Sequence, residues 1–257
     1  MITIKNLHKE FEGMKVLKGL NLEIREGETL VIIGRSGCGK SVLLKHIIGI
    51  LNPDQGEVFV DSQHISKLKG KDLVNLRMKF GMLFQGAALF DSLDVFENVG
   101  FALREHTNKT EDEIRQRVVQ SLESVDLGDI LDKKPAELSG GMKKRVGLAR
   151  AICNNPRIIL YDEPTTGLDP IMADMINELI IRLRERLKVT SIVVTHDMTS
   201  VYKVGTRIAM LYDGKIIAQG TPDEIRNTTD PIVKQFITGA AHGPITDNRN
   251  GQKNSNK

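Results

Sequence analysis

Two cysteines are all that this 257-residue chain carries, too few for the disulfide framework that holds a small secreted fold together. Cys38 sits inside a glycine-rich loop that a crosslink would distort. Both thiols are therefore read as reduced, as suits the cytosol. An excess of one charge is lacking too. The formal net charge is +3 and the basic residues are scattered, so no field invites nucleic acid, which is not expected as a partner. No apolar run approaches the length of a membrane span, and residues 1–7 alternate like a strand, without the basic-then-apolar profile of a signal peptide. If the protein works at a membrane, it does so through another subunit. Internal repeats and sustained heptads are absent as well. The length suits one large α/β domain, or a core with an inserted subdomain.

What is present is strand-like toward both ends and helical in the middle. Strands are predicted over 2–7, 16–24 and 29–33, with a turn at Arg25-Glu26-Gly27-Glu28. Asn52-Pro53-Asp54-Gln55-Gly56 turns into a short strand over 57–60, and another is predicted over 79–84, ending at Gln85. From 91 to 155 the periodicity is helical. There Thr110-Glu111-Asp112-Glu113 reads as a capping box, opening a helix whose apolar side carries Ile114, Val118, Leu122 and Val125. Strand signals return over 157–161, 190–195, 207–212 and 215–219. Thr221-Pro222-Asp223-Glu224 is a second capping box, with proline at the first helical position. Asp230-Pro231 predicts a last short helix ending near Thr238, with Ile232, Val233, Phe236 and Ile237 along one side. This order predicts a mixed-sheet α/β core over 1–90 and 156–239, including an N-terminal antiparallel β subdomain. A helical subdomain over 91–155 interrupts it. In the tail over 240–257, residues 240–245 are expected to be extended, and the Asn/Lys/Gly/Ser-rich end from Asp247 to be disordered.

Gly34-Arg35-Ser36-Gly37-Cys38-Gly39-Lys40-Ser41 lies between the apolar strand 29–33 and a helix beginning near Val42. That context turns a G-x-x-x-x-G-K-[ST] match into a phosphate-binding loop. The glycines let backbone N–H groups converge on an anion, and the helix start adds its positive dipole end. Lys40 is expected to reach the β- and γ-phosphates and Ser41 to ligate Mg²⁺, so ATP and Mg²⁺ are the expected cofactors, held along Gly34 to Val42. The same positive potential predicts a thiolate-favouring setting for Cys38.

Ile158-Ile159-Leu160-Tyr161-Asp162-Glu163 is an apolar strand ending in paired carboxylates, where ligands of parallel sheets collect. It reads either as a polar strand end or, beside a phosphate loop, as Asp162 in a Mg²⁺ shell and Glu163 acting on an attacking water. Leu138-Ser139-Gly140-Gly141-Met142 opens a helix with basic residues in its first turns. Ser139 can cap it, and Gly140-Gly141 leave backbone N–H groups open to a second anion.

The phosphate loop, Gln85, residues 138–142, the 158–163 strand, Gly167-Leu168-Asp169 and His196 occur in the order of the ATP-binding cassette (ABC) transporter ATPases, which residues 2–238 resemble. The resemblance implies a P-loop NTPase core of the ABC-ATPase type and a head-to-tail dimer. In that family ATP lies between the phosphate loop of one copy and the Ser139-Gly140-Gly141 segment of the other. By the same resemblance Phe11 stacks on adenine, its alternative being a core residue of the first sheet. Gln85 touches Mg²⁺ and the γ-phosphate, Asp169 crosses the dimer seam, and His196 contacts the γ-phosphate, giving Lys40, Gln85, Glu163 and His196 as the catalytic set.

Met at 142, and Leu89-Phe90-Asp91-Ser92-Leu93 after Gln85, narrow the resemblance. Together they are similar to the ATPases of Mla-type phospholipid transporters, as is the segment over 230–237 with Gly243-Pro244. The implied partners are a second copy of the chain, an integral membrane permease, an MCE-domain protein and a small accessory protein. The implied location is the cytoplasmic face of the inner membrane. Ala87–Phe90 reads as local core or as part of a groove for a permease helix, and residues 240–245 as a clasp on the second copy. The alternatives are another ABC system, such as a solute importer or a lipoprotein-extracting exporter, and a soluble cassette outside transport.

Overall fold

The computed structural model describes residues 1–247. The chain opens with β1 (Ile2–Phe11), β2 (Met14–Ile24) and β3 (Thr29–Ile33), then α1 (Lys40–Ile47), β4 (Gln55–Val60), β5 (Gln63–His64), α2 (Gly70–Arg77) and β6 (Phe80–Leu83). Helices α3 (Val95–His106), α4 (Glu111–Glu123) and α5 (Gly140–Cys153) come next. The chain then runs through β7 (Ile158–Asp162), α6 (Pro170–Leu187), β8 (Thr190–Val194), α7 (Met198–Val204), β9 (Arg207–Tyr212), β10 (Lys215–Gly220), α8 (Pro222–Arg226) and α9 (Pro231–Thr238).

Two sheets result. A four-stranded antiparallel sheet has the order β2-β1-β4-β5, and a six-stranded sheet the order β10-β9-β3-β8-β7-β6. In the larger one, β6, β7, β8, β3 and β9 run parallel and β10 closes the edge antiparallel to β9. Every residue of β3 and β8 is buried, because both faces of the sheet are covered. Successive side chains of a strand point to opposite faces. Leu30, Ile32, Ile192 and Val194 therefore pack with α1 and the small sheet, whereas Val31, Ile33 and Val193 pack with the helices. The fold is the mixed α/β arrangement expected from the sequence.

Local signals account for most element starts. Thr110 and Thr221 form reciprocal capping boxes with Glu113 and Glu224, and Asp230 Oδ1 accepts from the amides of Ile232 and Val233. Helix α9 stops at Gly239, which adopts φ 68°, a left-handed conformation that suits glycine. Val125 lies beyond the end of α4 yet is fully buried beside Ile114, Val118 and Leu122.

The C-terminal segment departs from expectation. Residues 240–245 are not extended: they fold back on α9 and lead into a helical turn over 244–247. The Gln235 side chain, 7% exposed, organises this return. Its Nε2 donates to the carbonyl of Ala240 at 3.1 Å and to Thr246 Oγ1 at 3.2 Å, and its Oε1 accepts from the Ile245 amide at 2.7 Å. Ile245 then enters the helical-side core at 6% exposure. Of the residues expected to clasp a second copy, Ile245 is packed on its own chain, which removes apolar surface from water locally, whereas Ala240, Ala241 and His242 remain exposed. The expectation for the polar end past Asp247 lies outside the described residues.

Replacing Gln235 with methionine keeps the bulk and strands the buried Ile245 amide, at a cost of about 1–3 kcal/mol. Amide exchange followed by mass spectrometry should show residues 240–247 losing protection while β3 and β8 keep theirs. Unchanged protection of 240–247 would mean that something other than Gln235 holds the segment.

Candidate functional site

The site is built from the loops at the carboxyl ends of adjacent parallel strands. After β3 the phosphate loop turns through Gly37 and Gly39, with φ 77° and 105°. Gly39 is the N-cap of α1 and no side chain caps that helix. The first-turn N–H groups are left to an anion. A Cβ on Gly39 would come within 2.9 Å of Val16 Cγ1, so the loop is also pressed against β2. Lys40, 7% exposed, donates to the carbonyls of Gly34 at 2.8 Å and Arg35 at 3.1 Å.

After β7 the chain makes a sharp turn at Glu163, whose φ is 50°. The turn is pinned by the Glu163 amide donating to Val194 O at 2.8 Å. It aims the carboxylate across the loop: Oε1 lies 2.9 Å from Nδ1 of His196 and 3.9 Å from Lys40 Nζ, and Oε2 accepts from Thr166 Oγ1 at 3.2 Å. His196 lies just past β8, and its side chain is 62% exposed. Gln85 lies just past β6.

One cavity of about 300 Å³ gathers Ser36, Gly37, Gly39, Lys40, Ser41, Val42, Gln85, Glu163 and His196. Asp162 joins through Ser41, whose Oγ donates to Oδ1 at 3.1 Å. Burial pushes the Asp162 carboxyl above its ordinary range, with the Glu163 charge adding to the effect and the Ser41 bond opposing it. A cation there would relieve both causes. Among the described residues no three His, Cys, Asp or Glu side chains cluster as a metal cage. One carboxylate, one hydroxyl and an amide-bearing glutamine suit Mg²⁺, which binds through few protein oxygens plus phosphates.

Other expected residues stand apart from this cavity. Ser139 caps α5, its Oγ accepting from the Met142 amide at 3.3 Å, and Ser139 and Gly140 are exposed. Asp169 caps α6, Oδ1 accepting from the Ile171 and Met172 amides at 3.0 Å each. Phe11 is 41% exposed on the β1–β2 hairpin, with Lys9 Nζ 5.4 Å from its ring centroid, so it is not a core residue. The Arg35 guanidinium contacts Ile245 O at 3.4 Å, bringing the C-terminal segment beside the phosphate loop. The 87–90 loop divides: Ala87 is buried, whereas Phe90 is exposed and pairs with Phe101 at 5.0 Å between ring centroids.

Cys38 requires a correction. Burial raises its thiol pKa and outweighs the lowering influence of Lys40 and Arg35. The motif indicates the nearby positive charge but says nothing of the packing that opposes it. Sequence reasoning also missed Lys144 and Arg150 of α5, which are turned inward onto the Gln85 loop. A Lys-Lys-Arg run reads as a solvated face, and the only hint otherwise was the apolar pattern on both sides of it.

Residues 17–166 match the family described as "ABC transporter". The intermembrane phospholipid transport system ATP-binding protein MlaF of Haemophilus influenzae is 43% identical over 245 residues, spanning 95% of this chain and 93% of that protein. The methionine import ATP-binding protein MetN of Carboxydothermus hydrogenoformans is also 43% identical, over 92% of this chain and 71% of that protein. A solved dimeric ATP-binding cassette in a post-hydrolysis state, bound to ADP and Pi, is similar with a TM-score of 0.79 and 36% identity. The match covers 86% of this chain and 99% of that one.

A raised thiol pKa leaves Cys38 mostly protonated at neutral pH, since the thiolate is the reactive form. Maleimide labelling of Cys38, with peptide mass mapping as the readout, should be slow at neutral pH and still accelerating above about pH 8.5, where an ordinary cysteine is half ionised. Saturating Mg-ATP should slow it further. A rate that levels off near neutrality would contradict the dominance of burial.

Proposed function

The chain belongs to the ABC transporter ATP-binding family, and we propose that it hydrolyses ATP as a head-to-tail dimer that drives a permease moving phospholipids between membranes. The observation that carries the ATP-site reading is the Glu163 carboxylate. It is held between His196 and Thr166 and faces Lys40 across the phosphate-loop cavity. A carboxylate so placed is within reach of a water attacking a γ-phosphate seated on the loop.

In this reading Lys40 leaves the Gly34 and Arg35 carbonyls for the β- and γ-phosphates, while Gly34 to Val42 wrap them with backbone amides. Ser41, Asp162 and Gln85 would hold Mg²⁺, which neutralises phosphate charge. Glu163 accepts the proton of the attacking water, and His196 orients the γ-phosphate side. Phe11 offers an exposed ring for adenine. Ser139, Gly140 and Gly141, exposed or at the start of α5 and away from the cavity, suit the nucleotide of a second copy, and Asp169 would lie at the seam.

Coupling to a membrane rests on a partner. Among the described residues no helix is long and apolar enough to cross a bilayer. A groove of about 370 Å³, lined by Phe80, Met82, Phe84, Ala102 and His106, suits a helix of a permease at the cytoplasmic face of the inner membrane. The phospholipid assignment is supported by the MlaF similarity over nearly the whole of both chains. It carries with it an MCE-domain protein and a small accessory protein as further partners. The MetN similarity favours a second reading, a solute importer. Mass spectrometry of the complex isolated in mild detergent separates them: bound phospholipid and an MCE-domain protein support the first, a solute-type permease the second.

Glu163→Gln keeps the shape and removes the base. Steady-state hydrolysis should fall by about 10²–10⁴ with ATP affinity retained, and a dimer should accumulate in Mg-ATP by size-exclusion chromatography. Lys40→Ala should lose ATP binding as well. Turnover of Glu163→Gln within a few-fold of wild type would reject Glu163 as the base.

A further inference from the structure

We propose that Lys144 is a positioning residue that ties the helix serving one ATP to the catalytic loops serving the other, making hydrolysis at the two sites interdependent. The inference rests on the head-to-tail dimer of the proposed function. Helix α5 begins at the exposed Ser139-Gly140, which that dimer assigns to the partner's nucleotide. Lys144 lies about 7.5 Å further along the axis, turned inward and 5% exposed. Its ammonium donates to two backbone carbonyls, those of Gln85 and, at 3.2 Å, Glu163.

Both acceptors belong to this chain's own ATP site. Gln85 lies just past β6 and Glu163 just past β7, and the two strands are parallel neighbours. The Glu163 turn has positive φ, a conformation that costs a non-glycine residue and needs outside support. Lys144 supplies part of that support from α5, at the main-chain carbonyl of the same residue whose carboxylate faces Lys40.

Further along the same helix, Arg150 repeats the device. Its Nη1 and Nη2 donate to Ala88 O and Ala87 O at 2.6 Å each, and both alanines have positive φ. The loop after β6 is thus gripped from α5 at both ends. A Cβ on Gly147 would meet Leu83 Cδ1 at 2.9 Å, and one on Gly81 would meet Ala151 O at 2.1 Å, so helix and strand are in close contact. Packed cores shift as units rather than deforming continuously. A displacement of the α5 start is therefore passed to Gln85 and to the Glu163 turn, where an error of an ångström costs about a hundredfold in rate.

A residue that only held the fold together would not separate turnover from affinity. The test measures ATP hydrolysis against ATP concentration for the full-length chain with its co-purifying membrane subunits, comparing wild type, Lys144→Met and Lys144→Gln. Lys144→Met keeps the aliphatic stem and removes the donor. It should lower kcat by about tenfold or more, leave KM within about threefold, and reduce the Hill coefficient toward one. Lys144→Gln, which restores a donor, should recover most of kcat and of the cooperativity.

Wild-type kcat and Hill coefficient in Lys144→Met would overturn the proposal. So would a joint loss of kcat and ATP affinity, which marks a structural lesion. A Glu163→Gln chain that stays monomeric in Mg-ATP, with a wild-type Hill coefficient of one, would instead overturn the dimer on which the inference stands.

Discussion

Parallel strands buried on both faces cannot carry polar chemistry along their length, so they carry it at their ends. That constraint shapes the rest of the molecule. Strands β3 and β8 are buried at every position, and β7 stays buried until Asp162. The phosphate loop, Gln85, Glu163 and His196 each appear within a few residues of a strand's carboxyl end. Strand order β3-β8-β7-β6 makes those ends neighbours. Groups separated by more than a hundred residues of sequence thereby meet in a single cavity. Left-handed backbone at Gly37, Gly39 and Glu163 is what lets the chain leave the sheet steeply enough to face its neighbours.

Much of this was legible because its signals are local. The bounds of β3 and β9 come from apolar runs between turns, and the starts of α4, α8 and α9 come from Thr110, Thr221 and Asp230, whose caps involve residues within a turn of themselves. What escaped depended on distant partners. The segment over 240–245 has neither charge nor periodicity, and its path is set by the Gln235 side chain, the core around Ile245 and the Arg35 contact. Helix α2 packs through a single fully buried residue, Leu76, so its sequence carries little apolar stripe. Cys38 shows the same limit in electrostatics: the motif specifies the charge of Lys40, whereas desolvation depends on atoms brought up by the whole fold.

Lys144 and Arg145 make the point from the opposite direction. Both are charged, both belong to a basic run, and both are buried, at 5% and 8% exposure. Lys144 finds carbonyls in the Gln85 and Glu163 turns, and Arg145 reaches Val125 O at 3.3 Å. Carbonyl oxygens released by irregular backbone are natural acceptors for a buried cation, since turns leave them outside any ladder. A sequence shows the cations but not which turns will need them. The helix they decorate is therefore both a surface feature at Ser139 and an internal strut behind the Glu163 carboxylate.

These placements divide the labour across the chain. In the proposed function the lining of the phosphate-loop cavity answers to phosphate, cation and water rather than to what a transporter carries. Identity with the ATP-binding proteins MlaF and MetN is equal at 43%, so overall identity does not separate the two readings. Distinction between such systems has to lie where the chain meets other subunits. In the proposed function two surfaces would have that character. One is the aromatic groove with Phe84, and Phe90 and Phe101 exposed together; the other is the C-terminal segment beside Arg35. The groove abuts β6, and β6 leads directly into the Gln85 loop gripped by α5. A permease helix seated in the groove, as proposed, would therefore bear on the same loop that lines the ATP cavity, and one short strand would link membrane and nucleotide.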